Sequence, residues 1–166
     1  MKPEEIREAL AAHVGHPLDW FAGPVDPAAI VKSAEWHAVA LVLRDDPSLA
    51  FDFLRSLAGV DRPAAGRIEI VLHLFSYKRR HAFVLKTLVD RTAPEVATLS
   101  DVWPAAAWHE RELFDMFGVR VAGHPDLRRL LLPDDWEGHP LRKDYKEPPS
   151  YHGIPMQRPG AQAESR

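Results

Sequence analysis

Seven of the chain's fifteen prolines lie after Gly118, at positions 125, 133, 140, 148, 149, 155 and 159. Proline has no amide proton for a helix interior or a central strand, so this spacing leaves the final segment little room for regular structure. Yet that segment is not a solvated tail. Between Val119 and Glu147 it carries six basic and six acidic residues, together with Leu127, Leu130, Leu131, Leu132, Trp136, Leu141 and Tyr145. An irregular stretch with so much apolar surface needs something to lie against. No long helix or central strand is therefore expected after residue 118, and the segment reads as an irregular arm packed on something else.

The arm is fed by the run from Trp103 to Gly118. Pro104 suits a first helical turn and Gly118 a helix end, which predicts a helix over about residues 104 to 117. On a wheel of 3.6 residues per turn, Trp103, Ala106, Ala107, Leu113, Phe114 and Phe117 fall within about 60° of Glu110. Glu110 thus sits in the middle of the apolar stripe. A carboxylate there needs partners, because an unpaired buried charge is expensive and takes up a proton instead. Three readings stay open: an ionised Glu110 paired with an arginine of the arm or of a partner, a glutamate bonded to nearby backbone, or a raised-pKa acid used in proton transfer. Trp108, Arg111, Glu112 and Asp115 lie on the opposite face. Arg111 and Asp115, four apart, can pair along the helix, and this face reads as either solvated or a contact surface.

Upstream, residues 3 to 13 read as a short helix with Ile6 and Leu10 on one face. Trp36 to Leu43 reads as a central strand, apolar on both sides. Asp46-Pro47 reads as a helix start, with Ala50, Phe53, Leu54 and Leu57 as its buried stripe and Gly59 as its stop. Ile68, Ile70, Leu72 and Leu74 alternate with polar residues as a strand does, His81 to Leu88 is the next strand, and Tyr77 to Arg80 is the hairpin tip between them. The expected fold class is α+β: a small mixed sheet of three or four strands with packed helices, followed by an amphipathic helix and an extended irregular C-terminal arm. The expected organisation is an α+β domain over 1–100, a junction helix over 101–118 and a partner-binding arm over 119–166.

Several function classes find no support. A net charge of −3 gives no basic footprint for nucleic acid. The sequence contains no cysteine, which removes disulfides, a thiolate nucleophile and cysteine ligation of an iron–sulfur cluster. No apolar run approaches the roughly 18–20 residues of a membrane span, and the acidic start does not read as a signal peptide. His124 with Asp126, and Glu137 with His139, read as turn residues rather than metal ligands, and His73 and His81 as sheet residues. No Gly-x-Gly-x-x-Gly, phosphate-loop or Gly-x-Ser-x-Gly pattern is present.

Certain segments carry a resemblance. Trp103-Pro104-Ala105-Ala106, Glu110-Arg111-Glu112, Asp115-Met116-Phe117-Gly118, Gly123 to Arg129 and Asp135 to Tyr145 resemble the signature of the 30-kDa (C) subunit of respiratory complex I, the proton-pumping NADH:quinone oxidoreductase. Gly59-Val60-Asp61 fits the same family. The resemblance implies a structural, non-catalytic subunit of the peripheral arm, supporting NADH-to-quinone electron transfer from the cytoplasmic face of a bacterial inner membrane. It implies partners, chiefly the quinone-site (D) subunit, and beside it the B and I subunits, with membrane association only through the complex. It implies no cofactor and no metal on this chain, since flavin, iron–sulfur clusters and quinone belong to other subunits. The residues expected at the partner contact are Glu110, Arg111, Glu112, Asp115, Arg128, Arg129, Trp136, Arg142, Lys143 and Tyr145. The same signature also fits the equivalent subunit of a membrane-bound nickel–iron hydrogenase or a related respiratory complex.

Overall fold

A computed structural model describes residues 1–23 and 27–156, so the end of the expected arm, 157–166, lies outside the described residues. Helix α1 (Pro3–Val14) is followed by strands β1 (Asp19–Phe21) and β2 (Ala28–Val31), helix α2 (Trp36–Asp45), and strands β3 (Phe53–Arg62), β4 (Arg67–Ser76) and β5 (His81–Asp90). Strand β6 (Glu95–Ala97), helix α3 (Ala106–Phe117) and strand β7 (Arg120–Ala122) come next, and the arm carries one short pair, β8 (Ser150–Tyr151) and β9 (Ile154–Pro155). The main sheet has five strands in the order β1-β2-β5-β4-β3. The β2–β5 pair is parallel and the other three pairs are antiparallel, so the sheet is mixed.

The alternation of β4 and β5 puts Ile68, Ile70, Leu72 and Leu74 opposite Val89, Thr87, Leu85 and Phe83 on one buried face. Ile6 and Leu10 of α1, Trp36, Val39, Ala40 and Leu43 of α2, and Leu113 and Phe117 of α3 pack into the same core. Strands β6 and β7 pair in parallel and bracket α3 as a small strand–helix–strand motif.

Two upstream expectations are overturned. Residues 36–43 form a helix, not a strand. Their buried set is Trp36, Val39, Ala40 and Leu43, an i, i+3, i+4, i+7 stripe. The flanking Ala38, Leu41 and Val42 are apolar too, which gives both faces a strand-like look. Asp46, expected to start a helix, ends α2, and its Oδ1 accepts from the Ser48 amide at 2.7 Å and hydroxyl at 2.6 Å. That is an Asx turn, and the chain then enters β3 rather than a second helix. A β-bulge lies between Leu54 and Ser56, where the register with β4 shifts. The extra residue places Leu54 and Leu57 on the same face at a spacing of three, which imitates a helical stripe.

Gly59, expected to stop that helix, lies inside β3. A Cβ there would stand 2.8 Å from a Phe117 ring carbon and 2.9 Å from a Leu113 methyl. The missing side chain is what lets α3 come down onto the strand. At the other end of the contact, the Trp103 indole Nε1 donates to the Phe51 carbonyl at 2.9 Å. β3 and α3 therefore run the same way along each other.

Candidate functional site: an arm fastened over the last helix

Helix α3 ends at Gly118, whose φ of 70° is the left-handed conformation that glycine adopts without strain. The carbonyls of a last helical turn have no partner within the helix, and here the arm supplies most of them. The Gly118 amide donates to Phe114 O at 2.9 Å. His139 Nδ1 donates to Asp115 O at 2.9 Å, the Leu141 amide to Met116 O at 3.1 Å, and Arg142 Nε to Phe117 O at 2.7 Å. The His139 ring lies over Gly118, where a Cβ would fall 2.5 Å from Nε2. Arg129 and Arg142 also bring positive charge to the negative end of the helix dipole.

Asp115 is the centre of this fastening. Its side chain is fully buried, and Oδ2 accepts from the successive amides of Leu130, Leu131 and Leu132 at 2.9, 2.7 and 3.0 Å. Oδ1 accepts from Arg129 Nη1 at 2.7 Å. Burial pushes the carboxyl up, but the bonds from the Leu132 amide, the Arg129 guanidinium and the Leu131 and Leu130 amides outweigh it, and the group is held below the usual carboxylate range. Arg129 continues outward to Trp136 O at 2.7 Å, tying the next bend of the arm to the same point. Arg111 holds the arm from one turn earlier, donating to Arg128 O at 3.1 Å and Arg129 O at 2.8 Å. Arg111 and Asp115 therefore do not pair with each other; both are covered by the chain's own arm, while Trp108 and Glu112 on the same face stay exposed.

A second fastening joins the arm to the sheet. Arg91 donates to both oxygens of Asp61, at 2.7 and 3.0 Å, and to Asp144 of the arm at 2.5 Å. The Lys143 amide donates to Asp61 Oδ2 at 2.8 Å. The Arg91 guanidinium draws Asp61 below its ordinary range despite burial, with help from the Lys143 amide. Between the two fastenings, Trp136 Nε1 donates to the Tyr145 hydroxyl at 3.1 Å.

Glu110 is equally buried but differently held. Oε1 accepts from the Leu99 amide at 2.5 Å and Oε2 from the Thr98 hydroxyl at 2.6 Å. His124 Nε2 stands 3.9 Å from Oε2 and donates to Ala107 O at 3.0 Å, while its Nδ1 accepts from the Asp126 amide at 3.0 Å. Burial pushes the carboxyl above its ordinary range, against the pull of the Thr98 hydroxyl and the Leu99 amide. Of the three readings of Glu110, the structure favours the backbone-bonded one; the arginine expected at Glu110 is found at Asp115.

The structure thus brings Arg111, Asp115, Arg129 and Arg142 together at the end of α3, and Trp136 with Tyr145 beyond it. Glu110 lies apart, on the face turned to the 98–99 backbone. Glu112, Arg128 and Lys143 are exposed, as are Trp108, Leu131 and Leu141. Asp61, Arg91, His139 and Asp144 are additions that sequence reasoning does not group. Asp61, His139 and Asp144 carry a signal through Gly59-Val60-Asp61 and the Asp135–Tyr145 stretch, though not one that says they meet; Arg91, just past the end of β5, has nothing to mark it. Among the described residues no three His, Cys, Asp or Glu side chains cluster as a metal site, and no helix is long and apolar enough to cross a membrane.

Residues 29–151 match the family described as respiratory-chain NADH dehydrogenase, 30 Kd subunit. The chain is 44% identical over 126 residues to the C subunit of the NADH-quinone oxidoreductase of Chlorobium phaeobacteroides, an alignment covering 75% of this chain and 76% of the relative. It is similar in structure to a trypsin-resistant fragment (1–134) of Nqo5, with a TM-score of 0.60 and 26% identity over 76% of this chain and all of that one. It also shares its fold with a chain of an archaeal respiratory membrane complex, the membrane-bound sulfane sulfur reductase, with a TM-score of 0.73 at 24% identity, over 88% and 86% of the two chains.

Proposed function

The chain belongs to the 30-kDa subunit family of the respiratory-chain NADH dehydrogenase, and from that premise we propose that it serves complex I as a non-catalytic structural subunit. It docks its arm on the quinone-site (D) subunit and meets the B and I subunits beside it. Its place is the cytoplasmic face of the inner membrane, reached only through the complex. Flavin, iron–sulfur clusters and quinone sit on the partners, and the chain supports electron transfer by holding those subunits in register.

One observation carries this reading. The buried charges of the signature are spent on fastening the arm to its own domain: Asp115 on three amides and Arg129, Arg111 on two arm carbonyls. What this leaves exposed is Trp108, Leu131 and Leu141, at 61%, 63% and 49%, together with the charged Glu112 and Arg128. Exposed apolar anchors on a helix and on the arm pinned to it, with exposed charges on the same two elements, are the ingredients of a docking surface with little ordering cost on binding. No step of electron transfer is asked of these groups.

Amide hydrogen exchange on the isolated chain and on the assembled complex tests the reading. The Leu130–Leu132 amides should be protected in both, because Asp115 is their acceptor. Residues 128–145 should gain further protection only in the complex; equal exchange in the two states would rule the arm out as the docking element. The subunits that copurify distinguish complex I, with flavin-bearing NADH-oxidising partners, from a nickel–iron hydrogenase complex.

A further inference from the structure

The arm is fastened at one end of the β4–β5 hairpin, beside Asp61 and Arg91. The closed end of that hairpin lies ten residues of β4 away, about 30 Å at the rise of an extended strand. There three rings gather. Tyr77 meets Phe53 and Phe75 edge-on, with centroids 5.4 and 5.1 Å apart. Phe53 is 43% and Tyr77 65% exposed. Beside the rings stand three exposed cations, Arg55 at the β3 bulge and Lys78 and Arg80 in the turn. None of them takes part in an ion pair among the described residues, whereas Arg79 is committed to the Pro47 carbonyl at 2.8 Å. The nearby Asp52 carboxylate is engaged by the Tyr77 amide at 2.9 Å.

The turn also carries a conformational cost. Arg80 has φ of 54°, in the left-handed region, where its amide closes onto Ser76 O at 2.7 Å. Glycine would occupy that position without strain, and arginine does not. A strained turn that presents a long cation next to exposed rings is a reason to ask what meets it.

Resting on the reading of the chain as a complex subunit, we propose that this hairpin tip is a second docking site, which takes an acidic, extended segment of another subunit. The protein as a whole is acidic, with a net charge of −3, so this local excess of positive charge is complementary to an acidic partner rather than typical of the surface. The shape of the patch favours a chain over a membrane. The cations lie at the tip and on β3, an edge strand whose partner in the sheet is β4, so the patch runs from the tip along an open strand edge. A polypeptide can follow that line; a flat bilayer would touch the turn alone.

The test uses the full chain in cells that assemble the complex. A photoreactive benzoylphenylalanine replaces Tyr77 in one strain and Trp108, on the arm side, in another. The expected result is a Tyr77 adduct mapped by mass spectrometry to a subunit segment rich in Asp and Glu, reduced at least tenfold in the double variant Lys78→Glu and Arg80→Glu. An adduct to lipid, to a second copy of this chain, or to a segment without acidic residues overturns the proposal, as does a Tyr77 adduct indifferent to charge reversal. Adducts from Trp108 and none from Tyr77 sink this second site alone; adducts from neither sink the subunit reading beneath it. Arg80→Gly separates docking from folding: its melting temperature should stay or rise while the Tyr77 adduct falls. A lowered melting temperature with an unchanged adduct would show that Arg80 serves the hairpin only.

Discussion

Two carboxylates five positions apart on α3 are both buried, yet the chain treats them in opposite ways. Asp115 faces the arm and collects three amides and a guanidinium, and it is held below the ordinary range. Glu110 faces the 98–99 backbone, collects one amide and one hydroxyl, and is pushed above it. Burial is common to both and raises both. What separates them is the number and charge of the donors, since each bond to the ionised form offsets part of the desolvation cost. The helix thus carries on one face a carboxyl held low by its donors and on the other a carboxyl raised by burial. The carboxyl held low is where the arm is fixed.

The largest test of that contrast is Asp115→Asn. The substitution removes the negative charge, leaves the half-buried Arg129 guanidinium against an amide, and gives the Leu130–Leu132 amides a weaker acceptor. Removing one member of a buried, hydrogen-bonded charge pair costs about 3–5 kcal/mol. Urea unfolding at neutral pH should show a loss of that order, and limited proteolysis should open the arm first. A loss under about 1 kcal/mol, no more than an exposed pair is worth, would mean that the arm is not held by Asp115.

The second test concerns the sheet-facing side. Gly59→Ala puts a methyl group where Phe117 and Leu113 already lie at 2.8 and 2.9 Å. Overpacking of this kind costs about 1–3 kcal/mol. Phe117→Leu in the same chain makes room and should recover part of the loss, a coupling that a double-mutant cycle reads directly. Additive losses would show that Phe117 does not limit the space at Gly59.

How much of this is legible in the sequence follows from where the information lies. The α3 stripe, the buried position of Glu110, the β4–β5 hairpin and the Gly118 stop are all set by local periodicity and by single residues with strong backbone preferences, and the structure agrees with the sequence on each. The failures share a physical cause. Trp36–Asp45 is so apolar that its period is hidden, and the bulge at Leu54–Ser56 shifts a strand's period to three. β1 and β2 are short and lie among prolines and glycines. At the site, Arg111 and Asp115 have the spacing of a helix pair, and nothing in that spacing says that an arm some fifteen residues further on takes both. Asp61 and Asp144 meet through Arg91, across half of the chain, a contact that no local pattern announces.

The smallest effect is also the sharpest on the contrast. Glu110→Gln keeps the shape and hydrogen-bonding capacity of a protonated acid and removes the titration. A carboxyl raised in the folded state binds its proton more tightly there than in the unfolded chain. Its contribution to stability is fully present below the unfolded pKa, near 4.5, and is lost as pH rises through the folded value. Asp115 has the opposite sign: its contribution is present above the unfolded pKa and is lost as pH falls through the depressed folded value. Urea unfolding of both proteins from about pH 5 to about pH 8 should therefore show the wild type losing stability relative to Glu110→Gln as pH rises. The loss should be about 1.4 kcal/mol for each tenfold by which the folded chain binds that proton more tightly than the unfolded one. If the glutamine variant instead falls behind as pH rises, the fold relies on an ionised Glu110. The two carboxylates would then be held alike, and donor count would not be what divides them.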